Sequence, residues 1–313
     1  MTYNEDNRIQ LVPPLPSEIR EAVNGGNLVV FIGAGVSQVI GCKSWGNLAQ
    51  SLIDKCYSPE KDHARRYIDF KQKQTLLEGS DYKKTITMCY HILEENGRKD
   101  AFYKELEKCF KAKPRLLKSR NICKELIGLH GVFLTTNADR HFDKYFEEQR
   151  IVYDPWRLDA TDIERNKLYH IHGSIRYPDS VVFILSKYME LYQESNFRKF
   201  LEQVFARHVV LFIGYGMSEF ELLDFLMIKF DSSQKKESSR FILKGYYKGD
   251  EKIRDLDQYY YDEMGVRVIG YQMDNEGYGQ LYEIVRRWRE EIDQTSRYLY
   301  DSFDEIDEAI NNP

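Results

Sequence analysis

Two kinds of apolar pattern alternate along this chain: unbroken runs, and stretches in which apolar residues recur every three or four positions. Leu28-Val29-Val30-Phe31-Ile32 and Val209-Val210-Leu211-Phe212-Ile213 are continuous runs of the kind buried on both faces of a parallel sheet. Val132–Thr136, Leu168–His172, Val181–Leu185, Phe241–Gly245 and Val266–Tyr271 read as further strands. Between the first and second runs the period changes. Trp45, Leu48, Ala49, Leu52 and Ile53 share one helical face, Ile86, Cys89, Tyr90 and Leu93 another, and Phe102, Leu106, Cys109 and Phe110 a third. The stretch from 45 to 130 is therefore predicted as a helical insertion between the first and second strands. Helices are also expected from Ser17 (as cap) to Gly25-Gly26, over Ser195–Ala206, Glu219–Phe230 and Tyr278–Ile292. This order predicts an α/β doubly wound parallel sheet in one domain over 1–292, followed by an acidic helix or tail over 293–313.

Both long runs lead straight into glycines, as Gly33-Ala34-Gly35-Val36-Ser37 and Gly214-Tyr215-Gly216-Met217-Ser218. Glycine suits a sharp turn or a close approach of backbone, and a serine after it is placed to cap the next helix. Two such loops in an alternating chain predict a Rossmann-like sheet whose neighbouring strand ends frame a crevice, where open α/β sheets bind ligands. The first loop is not a full dinucleotide fingerprint, because Gln38 stands where the third glycine of G-x-G-x-x-G belongs. Thr136-Asn137-Ala138-Asp139 follows the second strand and offers an amide that can hold a water or a ribose hydroxyl, with a carboxylate beside it. His170-Ile171-His172-Gly173 ends another strand. Alternation predicts both rings on the same side, and an imidazole there can serve as a general base.

Composition narrows the chemistry. Lys+Arg 45 against Asp+Glu 50 leaves a net charge of −5, without a sustained basic stripe, so nucleic acid is not expected as a direct ligand. Lys111, Lys113, Arg115, Lys118 and Arg120 read as a solvated helix face. No apolar stretch approaches the ~18 residues that span a bilayer, and the first residues lack the core of a signal peptide, so a cytoplasmic place and no membrane are expected. The five cysteines are scattered without a Cys-x-x-Cys pair, which predicts reduced thiols and no bound metal.

Taken in order, Gly33-Ala34-Gly35-Val36-Ser37, Thr136-Asn137-Ala138-Asp139, His172-Gly173 and Gly214-Tyr215-Gly216-Met217-Ser218 resemble the motifs of the sirtuin-like NAD-binding family. The resemblance implies NAD as the bound molecule, with Gly33, Ala34, Gly35 and Ser37 at its phosphates. It implies Asn137 and Asp139 at the nicotinamide ribose, with Thr136 beside them, and His172 as catalytic base. Gly214, Tyr215, Gly216 and Ser218 are the second cofactor-binding loop. Protein-deacylating sirtuins carry a zinc module with paired cysteines, which is lacking here, and a Pro-Asp-Phe-Arg segment, where this chain has Gly41-Cys42-Lys43-Ser44-Trp45. The chain is more similar to the bacterial sirtuin-like domains of antiphage defence, which hydrolyse NAD and sit beside a sensor region, a HerA-type ATPase or another ATPase. Glu219 stands where those domains carry Asp.

The resulting expectation is an NAD+ glycohydrolase that cleaves the nicotinamide–ribose bond, gated by homo-oligomerisation or by a partner. Asn137 would position water or ribose, His172 would accept a proton, and Asp139 would hold the ribose and offset developing positive charge. Trp45 would wall the pocket or fill the core. A protein deacylase without the zinc module and a non-catalytic NAD or ADP-ribose sensor are the rival expectations.

Overall fold

A computed structural model describes residues 8–58, 66–216, 239–273 and 277–294. Seven runs form strands: β1 (Leu28–Ile32), β2 (Val132–Thr135), β3 (Ile151–Val152), β4 (Leu168–His170), β5 (Val209–Ile213), β6 (Arg240–Tyr246) and β7 (Val266–Gln272). They make one sheet of order β3-β4-β2-β1-β5-β6-β7, and every pairing is parallel. Chain order reverses at β1, which pairs β2 on one side (Ile32 opposite Thr135) and β5 on the other (Ile32 opposite Ile213). The loops after these three strands therefore emerge together at one edge.

The unbroken runs are explained by the cover on both faces. Leu28, Val30 and Ile32 point into one apolar layer with α1 (Ser17–Gly25), α2 (Ala34–Val39), α8 (Ile122–Ile127) and the helix over 280–294. Val29 and Phe31 point into the other, with α9 (Leu185–Gln193), α10 (Ser195–Arg207) and Tyr261 of the helix Glu251–Asp262. Each such buried side chain contributes about 1.5–3 kcal/mol. The insertion between β1 and β2 is helical as expected: α3 (Trp45–Tyr57), α4 (Phe70–Glu78), α5 (Tyr82–Glu95), α6 (Lys99–Cys109), α7 (Pro114–Ser119) and then α8. Its helices α3, α5 and α6 close over a third apolar cluster that includes Val181, Phe183 and Ile184.

That cluster corrects one expected strand. Val181–Leu185 joins no ladder, because its apolar side chains pack against the insertion and Leu185 already begins α9. The strand read over Leu168–His172 stops at His170. Ser17 is the first residue of α1 and does not cap it; Pro16 is the N-cap, and Gly26 ends the helix at φ +70°. The expected helix Glu219–Phe230 and the tail from 295 lie outside the described residues. No described helix is long and apolar enough to cross a membrane.

Candidate functional site

The two glycine loops meet backbone to backbone. Gly33 N–H donates to Ile213 O at 2.9 Å and Gly35 N–H donates to Gly214 O at 2.8 Å. A Cβ on Gly33 would lie 2.5 Å from Gly214 O, and one on Gly214, whose φ is +62°, would lie 2.5 Å from Val36 N. These glycines are thus required by the contact between the loops themselves. Tyr215 secures the second loop by packing edge-on to Phe31 at 5.3 Å, and Gly216 is exposed. Ser218 lies outside the described residues. Ser37 is not a cap: Gly33 starts α2, and Ser37 sits one turn inside it.

From there Ser37 reaches across to the loop after β2. Its Oγ–H donates to Asp139 Oδ2 at 2.5 Å, while Asn137 Nδ2 donates to Ser37 Oγ and to Gly33 O, each at 3.0 Å. Thr135 Oγ1 accepts from Asn137 N–H at 3.0 Å, and Asp139 Oδ1 accepts from His141 N–H at 3.2 Å. Ser37, Thr136, Asn137 and Asp139 are all buried. Because β1 and β2 end in register, residues far apart in sequence form one polar cluster. Both Asn137 amide protons are committed, which leaves its Oδ1 as the acceptor for a ligand.

The cluster floors a cleft of about 30 Å³, lined on the far side by Trp45, Phe110 and Phe183. Such a space holds one or two waters, so a larger ligand requires the aromatic wall to move. Ser44 caps α3 by accepting from Asn47 N–H at 3.3 Å, and this cap sets Trp45 5.1 Å from Phe183. Cys42, which also lines the cleft, makes a contact missed in the sequence: its Sγ lies 3.3 Å from His141 Nε2. Both atoms turn to Phe110 O, at 3.2 and 2.7 Å, and burial aided by Asp139 pushes the Cys42 thiol well above its usual range. This thiol is a packed hydrogen-bond donor and not an activated nucleophile.

The two histidines part company. His170 lies 3.2 Å by Nδ1 from Asn137 O and 3.0 Å by Nε2 from Asp143 Oδ1. Burial works to raise the Asp143 carboxyl, but hydrogen bonds and charge from His170 and Arg140 outweigh it and leave it below the usual range. His172 faces the opposite apolar layer, edge-on to Tyr188 at 5.1 Å, with Nε2 3.0 Å from Tyr192 Oη. The expected same-side placement fails because β4 ends at His170, after which Gly173 (φ +75°) turns the chain. The His172 ring is 0% exposed, and its Nδ1 has no partner among the described residues. Burial, with the nearby Lys83 charge, pushes its pKa down to about 3. The structure therefore joins Ser37, Asn137 and Asp139 in one cluster and holds His172 beneath α9. Asp143, which the sequence reading passed over, is tied to Asn137 through His170. No group of three or more metal-ligating side chains occurs among the described residues.

The sheet is of the parallel α/β Rossmann-like kind, and residues 131–269 match the model of the SIR2-like domain. A curated relative is the NAD(+) hydrolase ThsA of Bacillus cereus (strain MSX-D12), 22% identical over 289 residues, which are 87% of this chain and 56% of that protein. The chain thus spans about half the length of the relative it matches.

Proposed function

We propose that this chain hydrolyses NAD+ at the nicotinamide–ribose bond and serves as a gated effector of antiviral defence in the cytoplasm. The observation that carries the reading is the Ser37–Asn137–Asp139 cluster bound to the Gly33 carbonyl at the carboxyl ends of β1 and β2. Similarity to a protein named as an NAD(+) hydrolase supports it. Loss of nicotinamide leaves positive charge on the ribose, which a fixed carboxylate offsets without reorganising. Ser37 orients Asp139 for that role. Asn137 Oδ1 is the acceptor for the attacking water or a ribose hydroxyl, and the Gly33–Ser37 and Gly214–Ser218 loops would hold the phosphates. His172 would serve as the base once α9 withdraws from it. Such a requirement suits an enzyme that must be gated, since an ungated NAD hydrolase depletes its host. The release would come from assembly into a homo-oligomer or from a partner such as a HerA-type ATPase.

A closed cleft and a buried His172 favour one second reading, a sensor that binds NAD or ADP-ribose without turnover. Nicotinamide release from NAD+ should be assayed over a range of protein concentrations, with and without an acetylated peptide. Peptide-independent release that rises with assembly and is lost in Asn137→Ala supports the hydrolase. Tight binding of NAD+ that is recovered intact selects the sensor, and release only with peptide selects a deacylase.

A further inference from the structure

A groove of about 870 Å³ opens beyond the carboxyl end of the edge strand β3 and shares no lining residue with the Asn137 cleft. Its size falls within the roughly 300–1,000 Å³ of small-molecule sites. Tyr153, Trp156 and Tyr177 give it aromatic walls, and Arg157 and Arg176 give it guanidinium groups. Tyr177 is 48% exposed and stands edge-on to Tyr153 at 5.4 Å. The Arg176 guanidinium lies 5.0 Å from the Tyr153 ring centre and 5.5 Å from that of Tyr177, held by Glu148 Oε2 and Tyr153 Oη, each 2.8 Å from its NH1. Arg157 is 83% exposed, with a loose contact of 3.5 Å to Asp154. Of the groove's carboxylates, Asp154 accepts from Trp156 N–H at 3.1 Å by one oxygen and faces Arg157 with the other, and Asp179 is 97% exposed toward Lys99.

We infer that this groove is a second ligand site, for a nucleotide whose base stacks against Tyr177 and Trp156 and whose phosphate meets Arg157. Aromatic faces hold bases of any kind by stacking, and an exposed guanidinium matches phosphate with paired N–H donors. The groove also leads to the catalytic residues. Tyr153 stacks on His170 at 5.5 Å with planes 17° apart, and His170 Nδ1 meets Asn137 O. At its far end Ser180 Oγ accepts from Ser174 N–H at 3.0 Å, directly after the His172-Gly173 turn. A bound base that shifts Tyr153 or the 178–180 turn therefore bears on Asn137 and on His172, so the occupant is an effector of the first site. The ligand class stands on the groove alone; the effect on turnover rests on the NAD-hydrolase reading.

The test is calorimetric titration of the whole chain with AMP and with nicotinamide mononucleotide. Arg157→Glu and Tyr177→Ala alter exposed side chains and leave the core intact. Either substitution should weaken binding by about tenfold or more, the worth of one stacked base or phosphate contact. No saturable binding up to millimolar nucleotide, or binding indifferent to both groove substitutions, overturns the site. Groove binding in a chain that never releases nicotinamide keeps the site and removes the hydrolase reading. Hydrolysis without groove binding does the reverse.

Discussion

Replacing His172 with glutamine, which does not titrate, should flatten the acid limb of the stability curve. The unfolded chain protonates this ring near its ordinary 6.5, whereas the folded chain resists until about 3. Between those values folding must exclude a proton. Stability due to this group is therefore complete above pH 6.5 and falls as the pH drops toward 3. The slope is about 1.4 kcal/mol per pH unit, which amounts to about 2 kcal/mol by pH 5 and to about 4–5 kcal/mol by pH 3. Urea unfolding at about pH 7.5 and about pH 5 would measure it, in wild type and in His172→Gln. The variant starts lower, because it loses ring packing against Tyr188, so the comparison is of the two pH dependences and not of absolute stabilities. Asp143 and His208 titrate in both proteins and cancel. Parallel pH dependences would refute the reasoning, as would an NMR titration of the His172 ring with a midpoint near 6.5. Either result would mean that solvent reaches the ring and that α9 does not cover it.

Other expectations follow from the same geometry. Gly214→Ala should lower stability by about 2 kcal/mol or more, since it adds a left-handed backbone penalty to a Cβ 2.5 Å from Val36 N; an unchanged melting temperature would contradict the loop contact. On the proposed hydrolase reading, Asn137→Ala and Asp139→Asn should each cut nicotinamide release by about 100-fold or more, read by steady-state kinetics, because both would fix the geometry around the ribose. His170→Ala should also reduce release, because Nδ1 reaches Asn137 O and Nε2 reaches Asp143. Full activity in a folded His170→Ala protein would show that Asn137 holds its place without it.

The sheet was legible in the sequence because β1 and β5 are covered on both faces, so that each position had to be apolar. The same logic misread Val181–Leu185. An apolar run reports burial, and here the burying surface is the insertion and not a neighbouring strand. Two-residue β3 is too short to leave a period, and the helix Glu251–Asp262 hides its own by exposing Ile253, Leu256, Tyr259 and Tyr260 while burying Tyr261. At the site, Ser37, Asn137 and Asp139 were legible as residues that follow adjacent strand ends. The side taken by His172 was not, since it depends on where β4 stops, and pairing beyond His170 is decided by the turn at Gly173. The contacts of Asp143 with His170 and of Cys42 with His141 join segments with no shared local pattern, so no periodicity marks them.

The backbone contact between the glycine loops makes the crevice a stiff joint. Gly35 N–H grips Gly214 O, the Val36 N–H closes on Gly33 O, and that same Gly33 oxygen holds the Asn137 amide. Side chains in such a joint could slip past one another, but opposed main chains with no Cβ between them cannot. A displacement of Gly214 therefore passes through Gly35 and Gly33 to the Asn137 side chain. On the proposed reading, whatever moves Gly214 need not approach the ligand to change how Asn137 holds it.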